Sequence, residues 1–340
     1  MAEQFLDLEA EDRRDALRVA ADRLGRPAHL LEKDIWVVWT LQALFEDPVG
    51  DHLVFKGGTS LSKAYQAIDR FSEDVDLTYD IREIASDIIR KDSDPIPPSK
   101  SQASKWSKII RERLPVWIDE TILPLIGSRL EAQGLAASIS REGDTAHIAY
   151  DPLTEGTGYV RPVVLLEFGA RSTGEPADKI AIGCDAAPQL PELEFPAAQP
   201  RVMRAERTFW EKATAIHVYC LKGEFRGGER FARHWYDLIA LNKSGIADRA
   251  INDPLIAKAV AQHKTRFFLE KDMSGTVIDY ERAISGGLKL VPNEAALKTL
   301  QDDYERMVED GLLMEEPQSF DDLMRNCASL EQRANDIARS

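Results

Sequence analysis

Cysteine is scarce in this chain. Cys184, Cys220 and Cys327 are spread widely over 340 residues, odd in number and without a metal-ligand spacing. Such a set builds neither a disulfide framework nor a zinc site, and it fits a reducing compartment, the cytoplasm. Long apolar runs are missing too. The most apolar helical stretch, Ile35–Phe45, carries Gln42 and is about half as long as a bilayer requires, so no membrane partner is expected. The opening Met1-Ala2-Glu3-Gln4 lacks the basic and apolar regions of a secretory signal. Positive charge is in deficit: 43 Lys and Arg against 58 Asp and Glu give a net charge of -15. That balance excludes a surface that coats nucleic acid broadly. There is no internal repeat.

What is present suffices for a sizeable core, at 44% hydrophobic residues. Pro188, Pro191, Pro196 and Pro200 break any regular pattern and suggest a linker, dividing the chain into residues 1–200 and a helical part, 201–340. Helices are expected over Glu9–Leu24 and Ala28–Phe45, with Pro27 at a helix start, and from Lys105 to Ser128 with interruptions near Pro115 and Pro124. Residues 91–104 read as a polar, proline-rich loop. Short strands are expected near 136–139, 147–150 and 160–168, and helices from Arg201 onward, including 293–312 and 319–337.

Chemistry concentrates in Lys56-Gly57-Gly58-Thr59-Ser60 and in Ser72-Glu73-Asp74-Val75-Asp76-Leu77. The apolar run Leu53-Val54-Phe55 enters the glycines as a strand, and Leu61, Ala64, Tyr65 and Ile68 fall at helical spacing after them. The amides of Gly58, Thr59 and Ser60 would then open a helix, where N–H groups face an anion. Alternation places Asp74, Asp76 and Thr78 on one strand face. Two carboxylates there repel unless something positive lies between them, which points to a hard divalent cation. An ordinary strand-to-helix turn and a solvated acidic strand are the plainer readings of the two halves; their combination favours the metal site.

These blocks resemble motif I of the polymerase-β-like nucleotidyltransferases, in which a glycine–small-residue turn precedes an Asp-x-Asp pair. More narrowly, Glu32-Lys33-Asp34, Lys56 to Leu61, Arg70 to Leu77, Glu211-Lys212-Ala213 and Arg233 to Leu238 resemble the AbiEii/AbiGii abortive-infection toxins. The resemblance implies an α/β (α+β) fold, a nucleotidyltransferase core with a small mixed sheet plus a helical C-terminal domain. It also implies a toxin of a toxin–antitoxin or phage-defence pair, with a nucleoside triphosphate as substrate, magnesium (or manganese) as cofactor, RNA such as a tRNA 3′ end as acceptor, and a cognate antitoxin as partner. The family pattern has Arg-Asp where this chain has Arg233-His234, leaving Asp237 as the matching acid.

Three further residues complete the expected site. Glu167, near the end of the apolar run Val163 to Phe168, is the candidate third carboxylate, as a metal ligand or a base; Asp151 is a weaker rival in an Asp-Pro turn. Lys212 lies beside the apolar stripe of a helix over Arg204 to Leu221, so it faces an anion or snorkels to solvent. In the family the matching lysine contacts nucleotide phosphates. Asp237, on a helix over Phe231 to Asn242, would pair with Lys212 if the two helices pack across the 222–228 loop, or else sits on the surface. Arg201, Arg204, Arg207, Lys222, Arg226, Arg230 and Arg233 form either a polyanion surface or ion pairs with Glu206 and Glu211. Modification of a protein hydroxyl, or nucleotide binding without turnover, are the competing functions.

Overall fold

A computed structural model describes residues 2–154, 160–223, 230–309, 313 and 316–340. Arg226, the loop over 224–228 and the helix end at 310–312 lie outside the described residues. The chain forms two compact units: residues 1–64, 72–95 and 108–203 make the first, and 65–71, 96–107 and 204–340 the second.

The first unit opens with β1 (Glu3–Gln4), α1 (Ala10–Leu24) and α2 (Ala28–Phe45). Gly25 ends α1 in the left-handed conformation, and Pro27 precedes α2, as punctuation of this type should. From Leu31 to Leu44 nearly every side chain of α2 is buried, including Glu32, Lys33 and Asp34, so this helix runs through the core. Then come β2 (Leu53–Lys56), α3 (Gly57–Lys63), β3 (Val75–Tyr79) and α4 (Ile81–Ile84). The helix after the glycines is shorter and earlier than its apolar spacing indicates. It starts at Gly57 and stops at Lys63, so Tyr65 and Ile68 belong to the segment that packs in the second unit.

α5 (Lys100–Trp117) begins inside the expected proline-rich loop. A wide π turn over Ile118–Ile122 follows, between Pro115 and Pro124, and leads into α6 (Leu123–Ala132). Proline withholds an N–H and crowds the preceding turn, which locates that interruption. The remaining strands are β4 (Ala137–Glu142), β5 (Thr145–Tyr150), β6 (Val163–Gly169), β7 (Ala177–Lys179), β8 (Ile182–Gly183), β9 (Leu193–Glu194), β10 (Ala197–Ala198) and β11 (Arg201–Met203). The supposed linker is therefore structured: β9 pairs with β1, β10 with β8, and β11 enters the main sheet rather than starting a helix.

That sheet has seven strands in the order β4-β5-β6-β3-β2-β11-β7, with β3–β6 and β11–β2 parallel and the other pairs antiparallel. One face is apolar, with Phe55, Leu77 and Phe168 in one cross-strand row, all buried. The residues next to them along each strand point to the opposite face.

The second unit is helical: α7 (Ala205–Lys222), α8 (Ala232–Lys243), α9 (Ile246–Ile251), α10 (Pro254–Phe267), α11 (Tyr280–Arg282), α12 (Glu294–Glu309) and α13 (Phe320–Arg339). Two of its buried indoles are hydrogen-bonded, Trp210 to Ala250 O at 2.8 Å and Trp235 to Leu290 O at 2.7 Å. All three cysteines are free thiols. No described helix is long and apolar enough to cross a membrane.

Candidate active site

Lys56 ends β2 opposite Asp76 on β3, and Asp76 lies opposite Glu167 on β6. Thr145 continues the row on β5. Residues facing each other across strands share a sheet face, so one lysine and two carboxylates line up on the face away from Phe55, Leu77 and Phe168. Lys56 Nζ stands 3.9 Å from Asp76 Oδ1. Gly57 follows with φ +78°, and a β-carbon built there would overlap the Asp76 carboxylate. Only glycine fits, on conformational and on steric grounds.

Asp74 sits just ahead of β3, held by the glycine turn: Thr59 Oγ1 donates to the Asp74 carbonyl at 2.6 Å and meets Ser72 Oγ at 3.0 Å. Ser60 Oγ donates to Gly57 O at 2.9 Å. Both hydroxyls therefore fasten the turn itself. The Glu167 carboxyl is raised above its ordinary value, first by desolvation and then by the charges of Asp76 and Asp74, with Lys56 opposing. Three carboxylates thus sense one another, while Asp151 lies past the end of β5, away from the row.

Glu32, Lys33 and Asp34 brace this region from the first turns of α2. Glu32 accepts from Leu153 N (2.8 Å), Thr154 N (3.2 Å) and Thr154 Oγ1 (2.9 Å). Lys33, 2% exposed, pairs with Glu73 beside Asp74 and donates to Arg161 O at 2.9 Å. Asp34 meets Lys63 at 2.6 Å and accepts from Asp185 N at 2.7 Å, anchoring the end of α3.

The second unit holds its own charged cluster. Asp237, fully buried, accepts a two-pronged contact from Arg70 (Nε–Oδ1 2.6 Å, Nη2–Oδ2 2.8 Å), and Lys212 Nζ lies 2.8 Å from Oδ2. Burial alone would raise this carboxyl, but Arg70 and Lys212 hold it well below the usual range. His234 is lowered to about 3, by burial first and then by Lys212, and is neutral at physiological pH. Within this triad one carboxylate faces two cations, an arrangement suited to a further anion. Arg70 is the residue that sequence reasoning left without a role. Its partner is 167 residues away, and no local pattern announces it.

Three residues of the expected basic set are engaged in ion pairs, one of them, Arg207, with an expected partner, while Glu206 pairs with Arg249. Arg201 is bound to Glu175, Arg207 to Glu211 (3.1 Å) and Lys222 to Glu270 (2.6 Å). Among the described residues no three His, Cys, Asp or Glu side chains close into a ready-made metal cage. The Asp74–Asp76–Glu167 face nevertheless fits magnesium. Its donors are all oxygen, desolvation and the charges of Asp76 and Asp74 raise the Glu167 carboxyl, and magnesium keeps positions for water and substrate phosphates.

The family model for the AbiEii nucleotidyl transferase toxin of type IV toxin–antitoxin systems matches residues 39–326. A comparison with curated protein sequences finds no significant match. Among solved structures the chain is similar to MenT4, a nucleotidyltransferase toxin of Mycobacterium tuberculosis H37Rv, at 17% identity and a TM-score of 0.43, covering 98% of this chain and 100% of that one. It is also similar to JHP933 of Helicobacter pylori, at 16% identity and a TM-score of 0.40, covering 90% of each chain.

Proposed function

The chain belongs to the AbiEii family of nucleotidyl transferase toxins of type IV toxin–antitoxin systems, and from that membership we propose that it transfers a nucleoside monophosphate to an RNA hydroxyl, the 3′ end of a tRNA being the leading acceptor. Membership makes it a nucleotidyltransferase with a nucleotide substrate and an antitoxin partner. The observation that carries the finer reading is the row Lys56–Asp76–Glu167 with Gly57 pressed against Asp76.

In this reading Asp74 and Asp76, with Glu167 as the third oxygen donor, would hold magnesium. When bound, the ion would neutralise charge on the triphosphate and on the attacking and leaving oxygens. The turn from Lys56 to Ser60 offers backbone amides to the phosphates, its hydroxyls being occupied. Glu167 either completes the donor set or receives the acceptor's proton, for which a raised carboxyl is well matched. Lys212, oriented by Asp237, is the phosphate-contacting cation that the family resemblance implies. The biological setting proposed is abortive infection in phage defence.

The test is transfer of label from each nucleoside triphosphate, labelled at the α-phosphorus, to total tRNA with magnesium, comparing wild type with Asp76→Asn. Label on RNA that falls by at least about 100-fold in the variant is the expected result. Label on protein instead of RNA would move the acceptor to a protein hydroxyl, and an active Asp76→Asn would remove the metal site.

A further inference from the structure

A cavity of about 880 Å³ opens in the first unit beside the first turn of α2. The reaction described above makes no use of it. We infer that this cavity receives a strand of the acceptor RNA, an inference that rests on the RNA-directed transfer proposed above.

The charge of the lining is the first argument. Arg14, Arg18 and Arg161 all line it. Arg14 and Arg18 stand one turn apart on α1, about 6 Å along its axis, and a guanidinium fork suits a phosphate. Arg14 spends only its Nε, donated to Leu153 O at 3.0 Å. Arg18 meets Asp15 at 3.2 Å in a pair whose side chains are both 66% exposed, which holds it weakly. Arg161 lends its carbonyl to Lys33, and its exposed guanidinium joins no ion pair among the described residues. Glu32 is the one acid among the described lining residues, and three donors already satisfy it. His29 is lowered by burial and adds no charge at neutral pH. Among the described lining residues three arginines thus gather around one already satisfied carboxylate, in a chain of net charge -15.

Most of the remaining described lining is apolar. Tyr150, stacked on Trp36 at a centroid distance of 4.9 Å, lines the cavity together with Leu153 and Val160. Tyr150 itself is buried, so the apolar surface offered to bases comes from Leu153, Val160 and the neighbouring prolines, beside arginines for phosphates. The cavity is also coupled to the carboxylate face. Glu32 walls it, and the next residue, Lys33, holds Glu73 beside Asp74. An RNA strand seated there is therefore held by the same turn of α2 that fixes the acidic loop.

The test uses the full chain carrying Arg18→Glu and Arg161→Glu together. Binding of fluorescein-labelled total tRNA is followed by anisotropy between about 50 and 200 mM KCl, with binding of fluorescent ATP and GTP analogues measured on the same protein. The inference expects RNA affinity at least about 10-fold weaker and a salt slope shallower by about one to two, with analogue binding within about twofold of wild type. The Arg18→Gln, Arg161→Gln pair should lie between the two, which separates loss of charge from misfolding. Unchanged RNA affinity and slope in the charge-reversed protein overturn the inference while leaving the transfer reading intact. A wild type that neither binds nor labels RNA overturns both.

Discussion

At the scale of single residues, Gly57 and Glu167 carry opposite expectations. A side chain at Gly57 meets Asp76 and also demands a left-handed backbone. Gly57→Ala is therefore expected to lower transfer by at least about 10-fold and stability by on the order of 1–3 kcal/mol, read by label transfer and urea unfolding. Glu167 behaves in the opposite sense. Its carboxyl is raised in the folded protein, so the folded state binds the proton more tightly than the unfolded chain. The favourable contribution is complete below the ordinary value of 4.5 and is lost as pH rises through the raised value. Glu167 is exposed and its charge is screened by solvent, so Glu167→Gln should be only slightly more stable than wild type at pH 7–8, with the gain vanishing near pH 4, while transfer collapses. A variant less stable at neutral pH would show that the three carboxylates do not repel as described.

At the scale of elements, the charged triad joins α7, α8 and the segment 65–71. Tyr236 Oη adds a hydrogen bond to Asp69 O at 3.3 Å, so that segment is fastened to α8 twice. Asp237→Ala strands a buried arginine and a partly buried lysine and is expected to cost about 3–5 kcal/mol. Replacing Arg70, Lys212 and Asp237 together by apolar residues should cost less than that single change, as urea midpoints would show. What the sequence revealed and what it hid both follow from range. Alternation and glycine punctuation made β2, β3 and β6 legible, and the acid types at Asp74, Asp76 and Glu167 with them. The register that sets Asp76 against Glu167 was not legible, because parallel pairing is decided by the whole sheet. β11 has three residues and follows Pro200, so no periodicity could separate it from a linker. The end of α3 at Lys63 was hidden as well, since tertiary packing takes Tyr65 onward into the other unit and overrides helical spacing.

At the scale of the whole molecule, the chain passes repeatedly between its two units, and residues 65–71 and 96–107 belong to the one completed only by 204–340. A fragment ending at residue 203 keeps both segments but loses their partners, Asp237 among them. It is expected to lack the sharp urea transition of the full chain, and a fragment that unfolds as cooperatively as the whole would show those segments to be dispensable. The place of β11 between β2 and β7 carries a consequence for synthesis. The sheet that presents Asp76 stays unfinished on the ribosome until Met203 has emerged. At ordinary elongation rates that is roughly ten seconds after Asp76 itself is made. The face proposed to hold the metal thus takes its final form only once two distant parts of the message have been read.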